Sequence, residues 1–199
     1  KTSLNSFVFK NQKILGFIPV VILILIFQIV KILSSEILFE KISKSNNSGY
    51  SKILYTKIFK LIDYYDYYYG NYSNLLLSEY YFNKQEKTLL LSKYYYEKAI
   101  KLNNLKSSYY INSSIIDIYL NKNNDALKNL ITGANLEKTN ANYFYRIALF
   151  LEQKPQNIYS VLNYLYIAKT LDPNNTEINS KFISVRNQIV NLKNSLSTD

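Results

Sequence analysis

The sequence predicts an all-α protein: an apolar N-terminal helix, then an α-solenoid of about three helix–turn–helix repeats, then a capping helix. Three observations predict it. Ile14–Val30 carries no charged residue. Breakers are sparse, with four glycines and three prolines in 199 residues, which favours long helices. A leucine followed by a polar turn recurs at Leu102, Leu136 and Leu171, at spacings of 34 and 35 residues.

The N-terminal element is a transmembrane helix over residues 14–33. Twenty residues rising ~1.5 Å each span about 30 Å, the thickness of a hydrocarbon core. Lys31 falls near its end, where a lysine head can reach the interface. Pro19 is expected in the first helical turns, where its missing N–H matters least. A cleaved signal peptide is the rival reading, but the apolar run is long and "KILSSE" is a poor cleavage site. Residues 1–13 form a short tail carrying Lys1, Lys10 and Lys13. Each charge moved against a membrane potential costs about 2.3 kcal/mol per 100 mV. The tail is therefore expected in the cytoplasm and residues from 34 onward outside it, on the periplasmic side of a bacterial inner membrane.

Residues 34–49 are expected as a juxtamembrane linker, with "SKSNNSG" (Ser43–Gly49) as its hinge. Residues 50–199 follow as the repeat domain. Tyr50–Gly70 reads as a helix stopped by its glycine, the remnant of an earlier repeat. The three repeats are residues 71–104, 107–140 and 141–175. Three residues before each aligned leucine stands a small residue: Ala99, Gly133 and Ala168. After each comes a polar turn: "NN", "EKTN" and "DPNN". A fixed period of this length signals stacked supersecondary units.

The last repeat is clearest. Phe144, Ile147, Ala148 and Leu151 have helical spacing, "EQKPQN" with Pro155 makes the turn, and Val161, Leu165 and Ala168 form one stripe of the second helix. The middle repeat shows no clean register in its first helix. The first repeat carries Ser92 at the small-residue position. Residues 176–196 place Ile178, Phe182, Val185, Ile189 and Leu192 at helical spacing and read as the cap, with Thr176 and Asn179 as a partial capping box.

The period, the helix–turn–helix layout and the "A-x-x-L-D-P-N-N" ending resemble the tetratricopeptide repeat, most closely over Ala141–Asn175. Phe144 takes the bulky first-helix position, Ile147 and Ala148 the large–small pair, Ala168 the late alanine and Pro173 the closing proline. Val161 stands where the family favours alanine, and Lys138 replaces the middle repeat's proline. The resemblance implies protein binding in a concave groove formed by the first helices. Carried over position by position, it implies a lining of Tyr80, Asn83, Tyr109, Asn112, Asn142 and Tyr145, with Arg146 beside them. The set with which some family members grip a C-terminal carboxylate is not reproduced.

Composition excludes several chemistries. There is no cysteine, hence no disulfide, thiolate metal site or cysteine nucleophile. There is no histidine, the commonest general base and metal ligand. The fourteen carboxylates are scattered, and no phosphate-binding glycine loop is present. The net charge is +10, but the basic residues are spread along the chain and only Arg146 and Arg186 are arginines, which disfavours nucleic-acid binding. Lys, Asn, Ile and Tyr are heavily used, as AT-rich codons dictate. The tyrosine-rich stretch Tyr64–Tyr72 is therefore read as packing before recognition, and the lysines between Lys41 and Lys60 as neighbours of anionic lipid heads.

The resulting expectation is a non-enzymatic, membrane-anchored scaffold without cofactor or metal. Its partner is another protein, within a multi-subunit membrane complex. Small proteins of this layout are similar to ancillary subunits of bacterial secretion machinery and to scaffold subunits of flagellar motors. The alternatives are a homo-oligomerising spacer for the membrane helix and an enzyme whose site the sequence does not reveal.

Overall fold

The computed structural model describes residues 2–153 and 157–196, with side chains from Phe17 to Gln153 and from Asn157 to Ser195. The described residues form helices only: α1 (Thr2–Ser43), α2 (Ser48–Leu61), α3 (Asp66–Asn83), α4 (Glu86–Leu102), α5 (Ser107–Tyr119), α6 (Asn123–Leu136), α7 (Ala141–Glu152), α8 (Ile158–Leu171) and α9 (Thr176–Leu196). The chain divides into two compact units, residues 1–68 and 69–199. Pro155, expected in the last repeat's turn, lies outside the described residues. So do Lys1 and the side chains of Lys10 and Lys13.

In the first unit, α1 is one continuous helix. Residues 2–13, read as a tail, and 34–43, read as linker, are helical. Pro19 therefore lies well inside a helix, not in its first turns. Phe17–Ser43 is the one described segment long and apolar enough to cross a membrane, with mean hydropathy 2.6 in its most apolar window, and that window is wholly unburied. The chain then turns over residues 44–47. Asn47 starts α2 by accepting a hydrogen bond from the Tyr50 N–H at 3.0 Å. The helix α2 packs along α1, with the Tyr55 ring 6.3 Å from that of Phe39.

The single helix expected over Tyr50–Gly70 is in fact broken. The helix α2 ends at Leu61 and α3 starts at Asp66, so Gly70 is a helix-interior residue and no stop. Its role is close approach: a Cβ there would stand 2.4 Å from Tyr109 Cε1. The α3 stop is Lys84 instead, in the left-handed region at φ 54°. The helical pairs thus number four among the described residues (α1–α2, α3–α4, α5–α6, α7–α8), followed by α9. The sequence had suggested about three.

The second unit stacks its helices consecutively, and its core follows the predicted stripes. Ala126, Leu130, Gly133 and Ala134 are buried on α6, and Val161, Leu165 and Ala168 on α8. Each stripe recurs at helical spacing, so one face of each helix is withdrawn from water. The small residues mark the tightest contacts. A Cβ on Gly133 would lie 2.7 Å from Ile111 Cδ1 and 3.1 Å from the Ser107 carbonyl oxygen. In the first repeat, buried Ser73 and Ser92 take this role: Ser92 Oγ donates to the Ser73 carbonyl at 2.8 Å, and Ser73 Oγ to the Ser92 carbonyl at 2.5 Å.

The middle repeat hid its register because α5 buries polar side chains among its apolar ones. Asp117 is fully buried. Its Oδ2 accepts from Lys93 Nζ at 2.7 Å and from Asn129 Nδ2 at 2.8 Å. Lys93 also donates to Ser113 Oγ at 2.8 Å. One carboxylate therefore ties α4, α5 and α6 together. At the C-terminal end, the α9 cap is Asn175, whose Oδ1 accepts from the Ile178 N–H at 3.2 Å. The expected Thr176–Asn179 box does not form; Asn179 Nδ2 donates to the Pro173 carbonyl at 2.7 Å. Ile178, Val185 and Ile189 are buried as expected, whereas Leu192 is exposed.

Two outcomes are expected in chemical denaturation of the detergent-solubilised chain. Ala168 is fully buried, so Ala168→Leu overpacks the α8 contact and costs about 1–3 kcal/mol. Lys93→Met strands the Asp117 carboxylate and costs about 3–5 kcal/mol, much of it recovered by adding Asp117→Leu, because the stranded charge is the penalty.

Candidate functional site

The repeat period decides which side chains share a face. Residues one repeat apart occupy the same position on successive first helices. Ser108 and Asn142, Ile111 and Tyr145, and Asn112 and Arg146 are such pairs, each separated by 34 residues. All six line one groove of about 550 Å³, which Asn140, Tyr143, Leu149 and Glu177 complete. The groove lies across α5, α7 and the first turn of α9.

Its lining is held by neighbours. Asn112 Nδ2 donates to Asn74 Oδ1 at 3.3 Å. The same Asn74 oxygen accepts from the Tyr96 hydroxyl. The Tyr145 hydroxyl donates to Glu177 Oε1 at 2.9 Å. Glu177 stands in the first turn of α9, where the helix dipole favours a negative charge. Asn140 Nδ2 donates to Glu137 Oε1 at 3.0 Å. Asn142 and Arg146, one helical turn apart, are exposed at the rim. Arg146 makes no ion pair among the described residues.

Of the residues inferred from the resemblance, Asn112, Asn142, Tyr145 and Arg146 converge on this groove. Tyr80, Asn83 and Tyr109 are not among its lining. Tyr109 is buried, its ring seated against Gly70, with Lys106 Nζ 4.9 Å from the ring centroid. It is thus a packing residue and not an accessible contact. Tyr80 is half-buried near the end of α3, its ring 5.3 Å from that of Tyr119, and Asn83 is exposed at that helix end. The sequence reading missed Ser108, Ile111, Asn140, Tyr143, Leu149 and Glu177. Strict use of the 34-residue spacing from Asn142 would have found Ser108. Glu177 continues the same series, 35 residues after Asn142 and likewise second in its helix, although it lies in the cap.

The tyrosine-rich stretch also divides. Tyr68, Tyr69 and Tyr72 are buried, while Tyr64, Tyr65 and Tyr67 are exposed. Among the described residues, no cluster of three or more His, Cys, Asp or Glu side chains is placed to hold a metal.

Burial, and then the hydrogen bond to Glu177, push the Tyr145 phenol up to about 12. Burial likewise pushes Tyr72 up to about 12. A phenol whose folded value exceeds its unfolded value near 10 stabilises the fold fully below pH ~10. That contribution is lost as the pH rises toward 12. The thermal midpoint is therefore expected to hold up to about pH 10 and to fall above it, and Tyr145→Phe should shallow the fall, as read by circular dichroism melts across that range.

No protein-family model matches the sequence. No curated protein matches it either. Solved structures do match in fold. The MamA protein superposes with a TM-score of 0.65 at 11% identity, covering 81% of this chain and 86% of that one. Pseudomonas aeruginosa PilF gives 0.62 at 11% identity, covering 81% of this chain and 69% of that one. YrrB, described as a TPR protein with an unusual peptide-binding site, gives 0.57 at 22% identity, covering 72% of this chain and 70% of that one. The APC/C Cut9–Hcn1 hetero-tetramer gives 0.60 at 15% identity; the match spans 78% of this chain but only 29% of that one. These likenesses, together with the helix pairs above, show that the chain has a tetratricopeptide-repeat fold.

Proposed function

We propose that this protein is a membrane-anchored scaffold that holds a segment of a partner protein in the groove bounded by Asn112, Asn142, Tyr145 and Arg146. The observation that carries the reading is the groove itself. It combines polar side chains at repeat-related positions, apolar contact from buried Ile111 and exposed Leu149, and a guanidinium with no ion-pair partner among the described residues. Asparagine side chains offer both a donor and an acceptor, the pair an extended peptide backbone presents. Arg146 adds a planar donor fork suited to carboxylates or carbonyls.

The apolar run of α1 supports membrane anchoring, and the lysines before it support an N-terminus in the cytoplasm with the repeats on the periplasmic side. In that setting the protein serves as a subunit of a bacterial envelope assembly, secretion-associated or motor-like. No catalysis, cofactor or nucleic acid enters this reading.

The test is photocrosslinking in native membranes from Ser108 and Leu149, which line the groove and leave Arg146 in place. One foreign protein captured from both positions is the expected outcome. Capture should fall roughly tenfold in Arg146→Glu, equivalent to about 1.4 kcal/mol. Adducts with the protein's own chain alone would instead make the repeats an oligomerising spacer.

A further inference from the structure

The first unit carries a surface that the groove does not use. The helix α2 folds back along α1 after a four-residue turn, so the two run antiparallel. The Phe39–Tyr55 ring contact at 6.3 Å sets their register. Seven residues beyond Tyr55 the helix has ended at Ile62; at ~1.5 Å per residue it has returned about 10 Å along α1. That brings it level with Ile32, seven residues before Phe39. The chain then leaves again. The Tyr68 hydroxyl donates to Glu36 Oε1 at 2.6 Å, and the Tyr68 ring lies 5.5 Å from that of Phe39. These contacts hold the start of α3, and with it the α2–α3 turn, near Glu36, three residues past Leu33 at the end of the apolar run.

This turn carries a distinctive set of side chains. Tyr64 and Tyr65 are 48% and 39% exposed, with ring centroids 5.2 Å apart. Lys60 and Lys57, on the last turns of α2, are exposed and make no ion pair among the described residues. The helix α2 itself has no acidic residue; Asp63, in the turn, is the nearest acid in sequence. Exposed tyrosines with an apolar ring and a polar tip, beside unpaired lysines, suit the level where hydrocarbon meets headgroups.

We infer that the α2–α3 turn, with Tyr64, Tyr65, Lys57 and Lys60, docks on the anionic headgroup layer just past the end of the span. This rests on reading α1 as a membrane span. The lysines supply charge complementary to phosphate, and the tyrosines fill the boundary between phosphate and acyl chain. Docking there pins the first unit to the membrane surface at two points, the span and the turn.

The chain contains no tryptophan, so a single introduced tryptophan reports one place. The full chain carrying Tyr64→Trp is reconstituted in vesicles of phosphatidylcholine with phosphatidylglycerol and in vesicles of phosphatidylcholine alone. Quenching by headgroup-labelled lipid is then measured. Leu25→Trp, read with chain-labelled lipid, reports the span independently. The expected result is deep quenching of Trp at 25, and headgroup quenching of Trp at 64 that is stronger with phosphatidylglycerol. Salt, or Lys57→Gln with Lys60→Gln, should weaken the latter. Deep quenching at 25 with a water-exposed tryptophan at 64 would overturn the docking and leave the anchor standing. Headgroup quenching indifferent to phosphatidylglycerol would overturn the anionic assignment. Protection at 64 from an aqueous quencher without lipid quenching would assign the turn to a protein surface instead. A water-exposed tryptophan at 25 would remove the anchor and this inference together.

Discussion

The second unit depends on how closely its helices approach. Helix axes ~8–10 Å apart leave no room for a long side chain at the crossing point. Gly133 meets this limit outright, since a methyl group there would stand only 2.7 Å from Ile111 Cδ1. Ala168 and Ala99 meet it with full burial, and Ser73 with Ser92 meet it by exchanging hydrogen bonds with each other's backbone. The serine pair shows that the constraint is on size and not on polarity. A small polar side chain is tolerated at the crossing because a carbonyl stands within reach to satisfy it.

The groove follows from that repeated approach. Once each pair packs at the same height, side chains one period apart present themselves side by side. Asn112 and Arg146 are neighbours in space for this reason, as are Ile111 and Tyr145. The cap then closes the end of the row. Glu177 accepts the Tyr145 hydroxyl and holds that ring as a wall, leaving Arg146 and Asn142 as the outward-facing polar groups. The groove is thus a by-product of stacking, with its chemistry set by a few side chains that the core does not use.

Legibility in the sequence tracked how far each element relies on apolar periodicity alone. The helices α7, α8 and α9 were readable almost to the residue, because Ile147, Leu165, Ile178 and their neighbours form single uninterrupted stripes. The helix α5 was not, because Asp117, Ser113 and Ser114 are as buried as Ile116. Its partners Lys93 and Asn129 lie on other helices, and no local pattern announces a long-range ion pair. The break after Leu61 was hidden for a related reason. The residues of the turn, Ile62 to Tyr65, include no glycine or proline, and Gly70 supplied a false stop while serving the approach of Tyr109. Within the groove, the residues found by analogy were Asn142 and Arg146 at the exposed rim, half-buried Asn112 and buried Tyr145. Tyr109 failed because a tyrosine on a first-helix face can equally turn inward.

That last ambiguity is general here, because tyrosine does three different jobs. Tyr68, Tyr96 and Tyr145 place their rings in the interior, and each hydroxyl donates to a side-chain oxygen: Glu36, Asn74 and Glu177 respectively. A buried phenol needs such an acceptor, since an unpaired hydroxyl costs about 1–3 kcal/mol. Tyr69 and Tyr72 are buried against Tyr95 ring to ring, and Tyr64 and Tyr65 are left open to the surroundings. The acceptors that decide between these fates lie about twenty to thirty-two residues away in sequence for the hydroxyl-bonded three, about one repeat or less. Abundance of tyrosine therefore says little by itself. A tyrosine is fixed inward where a distant segment brings an oxygen to its hydroxyl or a ring to its face, and it stays exposed where neither arrives.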